Sequence, residues 1–144
     1  MFNFEFMKNE PVLIDSNVVC DFLLGEPEFN EQAQEFFRQC PQVLGHGFIL
    51  SEVGNVICTY VRRGKIPSAT GYDLLHAATD LFIVTEEPKV LDMYQVATEF
   101  NLTFYDATHV ATALALETPL ITRDKKILKN CSHTATSIKD FLKA

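Results

Sequence analysis

Four carboxylates stand where a side chain can face one end of a parallel sheet. Asp15 follows the short apolar run Val12, Leu13, Ile14, and Glu52 lies near the start of an amphipathic stretch. Asp106 opens an alanine-rich segment, and Asp124 follows the run PLIT. Gathered in one concave site, such acids repel one another unless a cation compensates, and hard oxygen donors select Mg²⁺ or Mn²⁺. An ion of that kind polarises a phosphoryl oxygen and lowers the pKa of a bound water, which is the chemistry of phosphodiester hydrolysis. Three of the acids also have a purely structural reading. Glu52 and Asp106, as first-turn residues, complement a helix dipole, and Asp124 caps the helix that begins at Lys125. Asp15 differs, because a carboxylate abutting three buried aliphatic residues is costly without a partner.

The elements that must carry these acids can be read from periodicity. Val12 to Ile14 is an uninterrupted β-favouring run that suits the centre of a parallel sheet, and Asp15 then falls beyond its carboxyl end, where ligands of such sheets bind. Ser16 and Asn17 are N-cap types, and Val18, Val19, Phe22 and Leu23 follow at helical spacing. A second helix spans Phe29 to Arg38. The stretch Gln42 to Leu50 reads as an extended segment ending in the apolar residues Phe48 to Leu50. Ser51 reads as the N-cap of a helix running to Arg63, with Glu52 in its first turn. A helix from Pro67 to about Thr79 carries Tyr72, Leu75, His76 and Thr79 on one side. Leu81 to Val84 reads as a strand, and Thr85 as the cap of a helix reaching about Asn101. The small side chains of YDATHVATALALE allow close packing of a helix on a sheet. PLIT is a strand, DKKILKN a short basic helix, and a last strand near Thr134 to Thr136 precedes a helix from Ser137 to Leu142. Strands alternating with helices predict an α/β/α sandwich with a mostly parallel sheet.

Composition bounds the rest. At 144 residues and 47% hydrophobic content, the chain is expected to form one domain over residues 1–144. A net charge of -7 and a pI near 5.0 announce no nucleic-acid binder, although a nuclease needs only a local basic rim. The opening MFNFEFMKNE has neither a basic start nor a continuous apolar core, and no run is long enough to span a bilayer, so a soluble cytoplasmic protein is expected. Cys20, Cys40, Cys58 and Cys131 show no zinc-type spacing; Cys20 and Cys58 fall among apolar helix positions and read as small buried hydrophobes.

The segments LIDSNVVCDFL, LSEVGNVI, YDATHVATALAL and PLITRDKKI occur in the order and approximate spacing of the PIN domain. The chain resembles most closely the VapC-type ribonuclease toxins of toxin-antitoxin systems. That resemblance implies a three-layer α/β/α fold, Mg²⁺- or Mn²⁺-dependent cleavage of single-stranded RNA by a metal-activated water, and a cognate antitoxin partner. It matches Asp15, Glu52 and Asp106 to the family's metal-binding acids, Asp124 to a more variable fourth acid, and Asn17 and Thr122 to flanking polar positions. The middle of the chain, about 63–99, matches only as a helical pattern.

Arg123, Lys125, Lys126 and Lys129 near the acids, with Arg62, Arg63 and Lys65 at another helix end, are the basic residues available to meet an RNA backbone. His109 lies one turn beyond Asp106, but a helix-face histidine is usually packed or solvated, and it is not counted among the site residues. His46, His76 and His133 have no metal-type spacing. A homodimer is expected, through apolar helix faces around Tyr60, Tyr72 and Leu75. Three other functions fit less well. An RNA-processing nuclease outside a toxin-antitoxin pair shares every motif, and an inactive PIN-like binding module would not need all four acids. A receiver-like domain with Asp15 as phosphoacceptor leaves Glu52 and Asp106 without a role.

Overall fold

The computed structural model describes residues 9–143 of the chain. The opening segment, read from sequence as lacking a leader, falls almost wholly outside them. Strand β1 is Val12–Ile14, followed by helices α1 (Ser16–Leu24) and α2 (Pro27–Gln39). Strand β2 (Val43–His46) leads to α3 (Phe48–Arg62) and α4 (Ser68–Ala78), and β3 (Ile83–Thr85) to α5 (Val90–Glu99) and α6 (Phe104–Leu116). Then come β4 (Leu120–Ile121), α7 (Lys125–Asn130), β5 (Ala135–Thr136) and α8 (Ile138–Lys143).

Among the described residues the strands form one parallel sheet in the order β3-β2-β1-β4-β5. Leu13 is in register with Leu44 on one side and Leu120 on the other, and Ile14 with Gly45 and Ile121. Alternation along the strands sends side chains to opposite faces and so builds two cores. Val12, Ile14 and Ile121 pack with Val18, Val19, Phe36, Val53 and Phe141, beneath α1, α2, α3, α4 and α8. Leu13 and Leu120 pack with Val96, Val110, Ala113 and Ile127, beneath α5, α6 and α7. This is the expected α/β/α sandwich. Every residue of α6 from Ala107 to Ala113 is buried, as its small side chains allow. The chain moves to one side of β1 for β2 and β3 and to the other for β4 and β5, which makes the carboxyl ends of β1 and β4 a topological switch point.

Several elements differ from the sequence reading. Phe48 to Leu50 is the first turn of α3 rather than a strand, because the His46 imidazole Nδ1 accepts the Phe48 N–H at 3.1 Å and starts the helix there. Ser51 is therefore inside the helix, and Glu52 sits in its second turn. Thr85 ends β3 and caps nothing. Pro88 disfavours a helical Glu87, so α5 starts only at Val90, and it ends at Glu99. On α4 the inward residues are Gly71 and Ala78, with Leu74 and Leu75 packed beside them, whereas Tyr72, His76 and Thr79 are exposed. Cys58 is exposed and Cys20 only half-buried, so neither is the fully buried hydrophobe expected. Among the described residues no helix is long and apolar enough to cross a membrane.

Candidate metal centre

Asp15 continues the β1 ladder, its N–H donating to the Ile121 carbonyl at 2.9 Å, and its extended backbone (φ -85°, ψ 161°) makes it the N-cap of α1. The cap therefore lies one residue before Ser16 and two before Asn17, the two cap types in the sequence. Its Oδ1 accepts from the Ser16 N–H at 2.6 Å and hydroxyl at 3.3 Å; its Oδ2 accepts from Thr122 Oγ1 at 2.8 Å and Asn17 Nδ2 at 3.4 Å. These donors offset the desolvation of a carboxylate only 5% exposed. The Thr122 hydroxyl also accepts from Asn17 Nδ2 and the Asp124 N–H, each at 3.1 Å, so its one donor and two acceptor sites are all used. Asn17 and Thr122 thus both hold Asp15.

Glu52 reaches the same place from α3. His109 on α6 sits between the two carboxylates, with Nε2 3.0 Å from Glu52 Oε1 and 3.5 Å from Asp15 Oδ1. The ring is 1% exposed, and among the described residues its Nδ1 has no hydrogen-bond partner. Burial pulls the imidazole pKa down, but the Glu52 bond and the charges of Asp15, Glu52 and Asp106 outweigh it and hold the pKa above its ordinary value. His109 is the site residue that sequence reasoning passed over. Its signal was the i, i+3 spacing from Asp106, which puts both on one face of a helix.

Asp106 is half-buried in the first turn of α6, whose N-cap Thr103 accepts the Asp106 N–H at 3.1 Å. Its pKa is raised, chiefly by burial, then by Asp124 and more weakly by Asp15, against the opposing effects of Thr103 and His109. Asp124 caps α7, its Oδ1 accepting from Lys126 N at 3.0 Å and Ile127 N at 2.9 Å. The structural role foreseen for Asp124 is real, and the same residue also acts electrostatically on Asp106. Asp15, Glu52 and His109 each offer one ligand atom, all within 4.8 Å of one another. A buried imidazole whose charged form the carboxylates favour, beside an aspartate whose ionisation burial and neighbouring acids oppose, marks a cluster short of positive charge. The carboxylate oxygens of Asp15 and Glu52 are hard donors that suit a divalent cation.

The basic residues divide. Arg123 forms a bidentate pair with the 4%-exposed Asp21, at 2.7 and 2.9 Å, and its guanidinium lies 4.5 Å from the Phe29 ring centroid. Lys125 and Lys126 are exposed. Arg123→Ala should therefore destabilise the fold by on the order of 1–2 kcal/mol, because it leaves Asp21 buried without its counter-charge while the half-exposed guanidinium keeps the pair partly screened. Chemical denaturation measures this, and an unchanged midpoint would show that Asp21 is satisfied in some other way.

The parallel α/β/α sandwich thus carries an acidic, histidine-centred cluster at its switch point, an arrangement compatible with a bound divalent cation. The chain belongs to the PIN domain family, whose model matches residues 12–132. A curated relative, "Exonuclease VapC9" of Pyrobaculum aerophilum, is 32% identical over 77 residues. That alignment takes in 54% of this chain and 58% of the relative, a little over half of its length. Among solved structures, PAE2754 of Pyrobaculum aerophilum superposes with a TM-score of 0.74 at 23% identity, covering 94% of both chains. VapBC2 of Rickettsia felis, bound to a DNA fragment from its promoter, gives 0.64 at 10% identity, covering 88% of this chain and 98% of that one. A toxin-antitoxin complex of Klebsiella pneumoniae gives 0.61 at 19%, covering 88% and 97%. At these identities the structural matches establish the fold.

Proposed function

We propose that the chain is a Mg²⁺- or Mn²⁺-dependent endoribonuclease of the cytoplasm, the toxin of a toxin-antitoxin pair, with residues 1–144 acting as one nuclease unit. The observation that carries this reading is the convergence of Asp15 and Glu52 on His109, with Asp106 and Asp124 electrostatically coupled beside them. A divalent cation bound there would polarise a scissile phosphate and acidify a water. Asp15 is held to one orientation by Thr122, Asn17 and Ser16, which removes reorganisation from the catalytic step. His109 fixes Glu52 through Nε2 and stands between the two acids. Asp106 and Asp124 supply the remaining negative charge for the cation.

The curated relative is named an exonuclease, so the position of cleavage needs its own measurement. Circular single-stranded RNA is the direct substrate: linear product with Mg²⁺ or Mn²⁺, and none with chelator, is expected. Intact circles beside degraded linear RNA would make the enzyme an exonuclease, and no product from either would favour a binding module. Reversing charge at Lys125 and Lys126 should weaken RNA binding and lower the salt slope by about 0.7 for each phosphate no longer neutralised, with metal binding retained. An unchanged slope would place the strand elsewhere.

An antitoxin partner is supported by the toxin-antitoxin assemblies among the structural neighbours and by an apolar groove of about 290 Å³ between α3 and α4, lined by Ile57, Val61 and Leu75 beside the exposed Tyr72. A homodimer belongs to the same reading. Exposed Ile83 and Val84 on edge strand β3, with Leu91 and Tyr94 on α5, offer apolar surface in addition to the face around Tyr72.

A further inference from the structure

Two of the acids carry an aromatic neighbour on the solvent side. Phe48 precedes Glu52 by one turn of α3, and Tyr105 is adjacent to Asp106 at the start of α6. Their rings stack, with centroids 5.1 Å apart and planes 28° from parallel. Tyr105 remains 62% exposed, so its outer face makes little of the core. Phe48 behind it is anchored. Its N–H bonds His46 Nδ1, its ring lies against His46 at 6.1 Å, and the His46 ring lies 6.4 Å from that of His109 in the acid cluster. Phe48, Tyr105, Ser51, Glu52 and Asn55 line an open pocket of about 380 Å³ that shares Glu52 with the candidate metal centre.

The chemistry of this pocket selects its occupant. A flat aromatic face is presented to solvent, the adjoining wall is a carboxylate, and Ser51 and Asn55 add exposed polar side chains at the rim. The carboxylate repels a phosphate but tolerates a neutral heterocycle, whose exocyclic amines can donate to it. We propose that Tyr105, backed by Phe48, is a stacking platform for one unpaired nucleobase of single-stranded RNA, beside the phosphate that Asp15, Glu52 and Asp106 handle. This rests on the nuclease reading above and specifies how its substrate is held. Every base has a π-face, so the platform tolerates sequence, while a base locked in a duplex cannot enter it. The preference for single strands then comes from the aromatic rim, and the acids do the chemistry.

The test uses single-stranded RNA with 2-aminopurine, whose fluorescence is quenched by stacking, placed at successive positions. Bound with Mn²⁺ to Asp106→Asn, the probe should be quenched at one position. Adding Tyr105→Leu should abolish that quenching, and Tyr105→Phe should restore it. In the otherwise wild-type enzyme, Tyr105→Leu should lower kcat/KM on RNA about tenfold or more, the loss expected for one stacked base, with the Mn²⁺-induced rise in Tm unchanged. An abasic residue at the quenched position should cost the wild type as much and cost Tyr105→Leu nothing further. Independent, additive losses, or quenching that survives Tyr105→Leu, would overturn the platform. Cleavage with uniform quenching along the strand would remove the platform and keep the nuclease. Position-specific quenching without cleavage by the wild-type protein under either metal would do the reverse, and neither signal would sink both.

Discussion

Asp106→Asn should lower RNA cleavage by orders of magnitude and yet leave the metal-free protein at least as stable as the wild type. Burial and the charges of Asp124 and Asp15 raise the Asp106 pKa in the folded state. A raised pKa means that the fold favours the protonated carboxyl. Its stabilising contribution is complete below the unfolded value near 3.8 and is lost as pH rises through the folded value, so at neutral pH the ionised group is a cost. The amide removes that cost, and stability in chelator should hold or rise by up to about 1 kcal/mol, a gain limited by solvent screening of a half-buried side chain. The same change takes away an anionic oxygen, so stabilisation by Mn²⁺, which follows the affinity of the folded state for the ion, should shrink. If Asp106 served only the helix dipole, its loss would cost a few tenths of a kcal/mol in every buffer and spare activity. Thermal melts of both proteins in chelator and in Mn²⁺ decide the matter, and equal Mn²⁺-induced shifts would refute a shared site.

Asp15, Asp106 and Asp124 were legible in the sequence because their settings are local: the end of an apolar strand, the first turn of a helix, and a cap. The two-faced core followed from the same periodicity. The start of α3 was not legible, because its first N–H is accepted by an imidazole from the preceding strand and its N-cap, Gly47, has no side chain to make a cap. Helix faces were ambiguous where apolar residues lie on both sides, as in α5, where Met93 and Val96 are buried while Val90, Leu91 and Tyr94 stay exposed. Arg123 looked like a cation free for RNA, since its partner Asp21 lies 102 residues away. His109 was visible as a neighbour of Asp106 along a helix. What periodicity cannot show is that α3 brings Glu52, 57 residues away, to within 3.0 Å of it.

His109 carries the second large expected effect. With no metal bound, burial opposes the charged form of its imidazole, but the carboxylates of Glu52 and Asp15 on either side prevail and favour it. The stabilisation this provides is complete below the unfolded pKa near 6.5 and is lost as pH rises through the higher folded value, because over that interval the native state holds a proton that the unfolded chain has released. Metal-free wild type should therefore lose stability relative to His109→Gln as pH rises from 6.5, with the two curves converging in alkali. Near pH 6 (about half a unit below the ordinary histidine value) the substitution should cost on the order of 2–3 kcal/mol. That lies below the roughly 3–5 kcal/mol usual for breaking a buried pair, because the Glu52 side chain keeps 30% of its surface in water. The same proton opposes an incoming cation, so Mn²⁺ should stabilise the wild type increasingly as pH rises and the proton is released, and this pH dependence should weaken in His109→Gln. Melting curves from about one unit below to about two and a half units above the ordinary histidine value, with and without Mn²⁺, test both halves. Parallel curves for the two proteins in chelator would show that His109 stays neutral there, and the carboxylates would then need another source of positive charge to remain together.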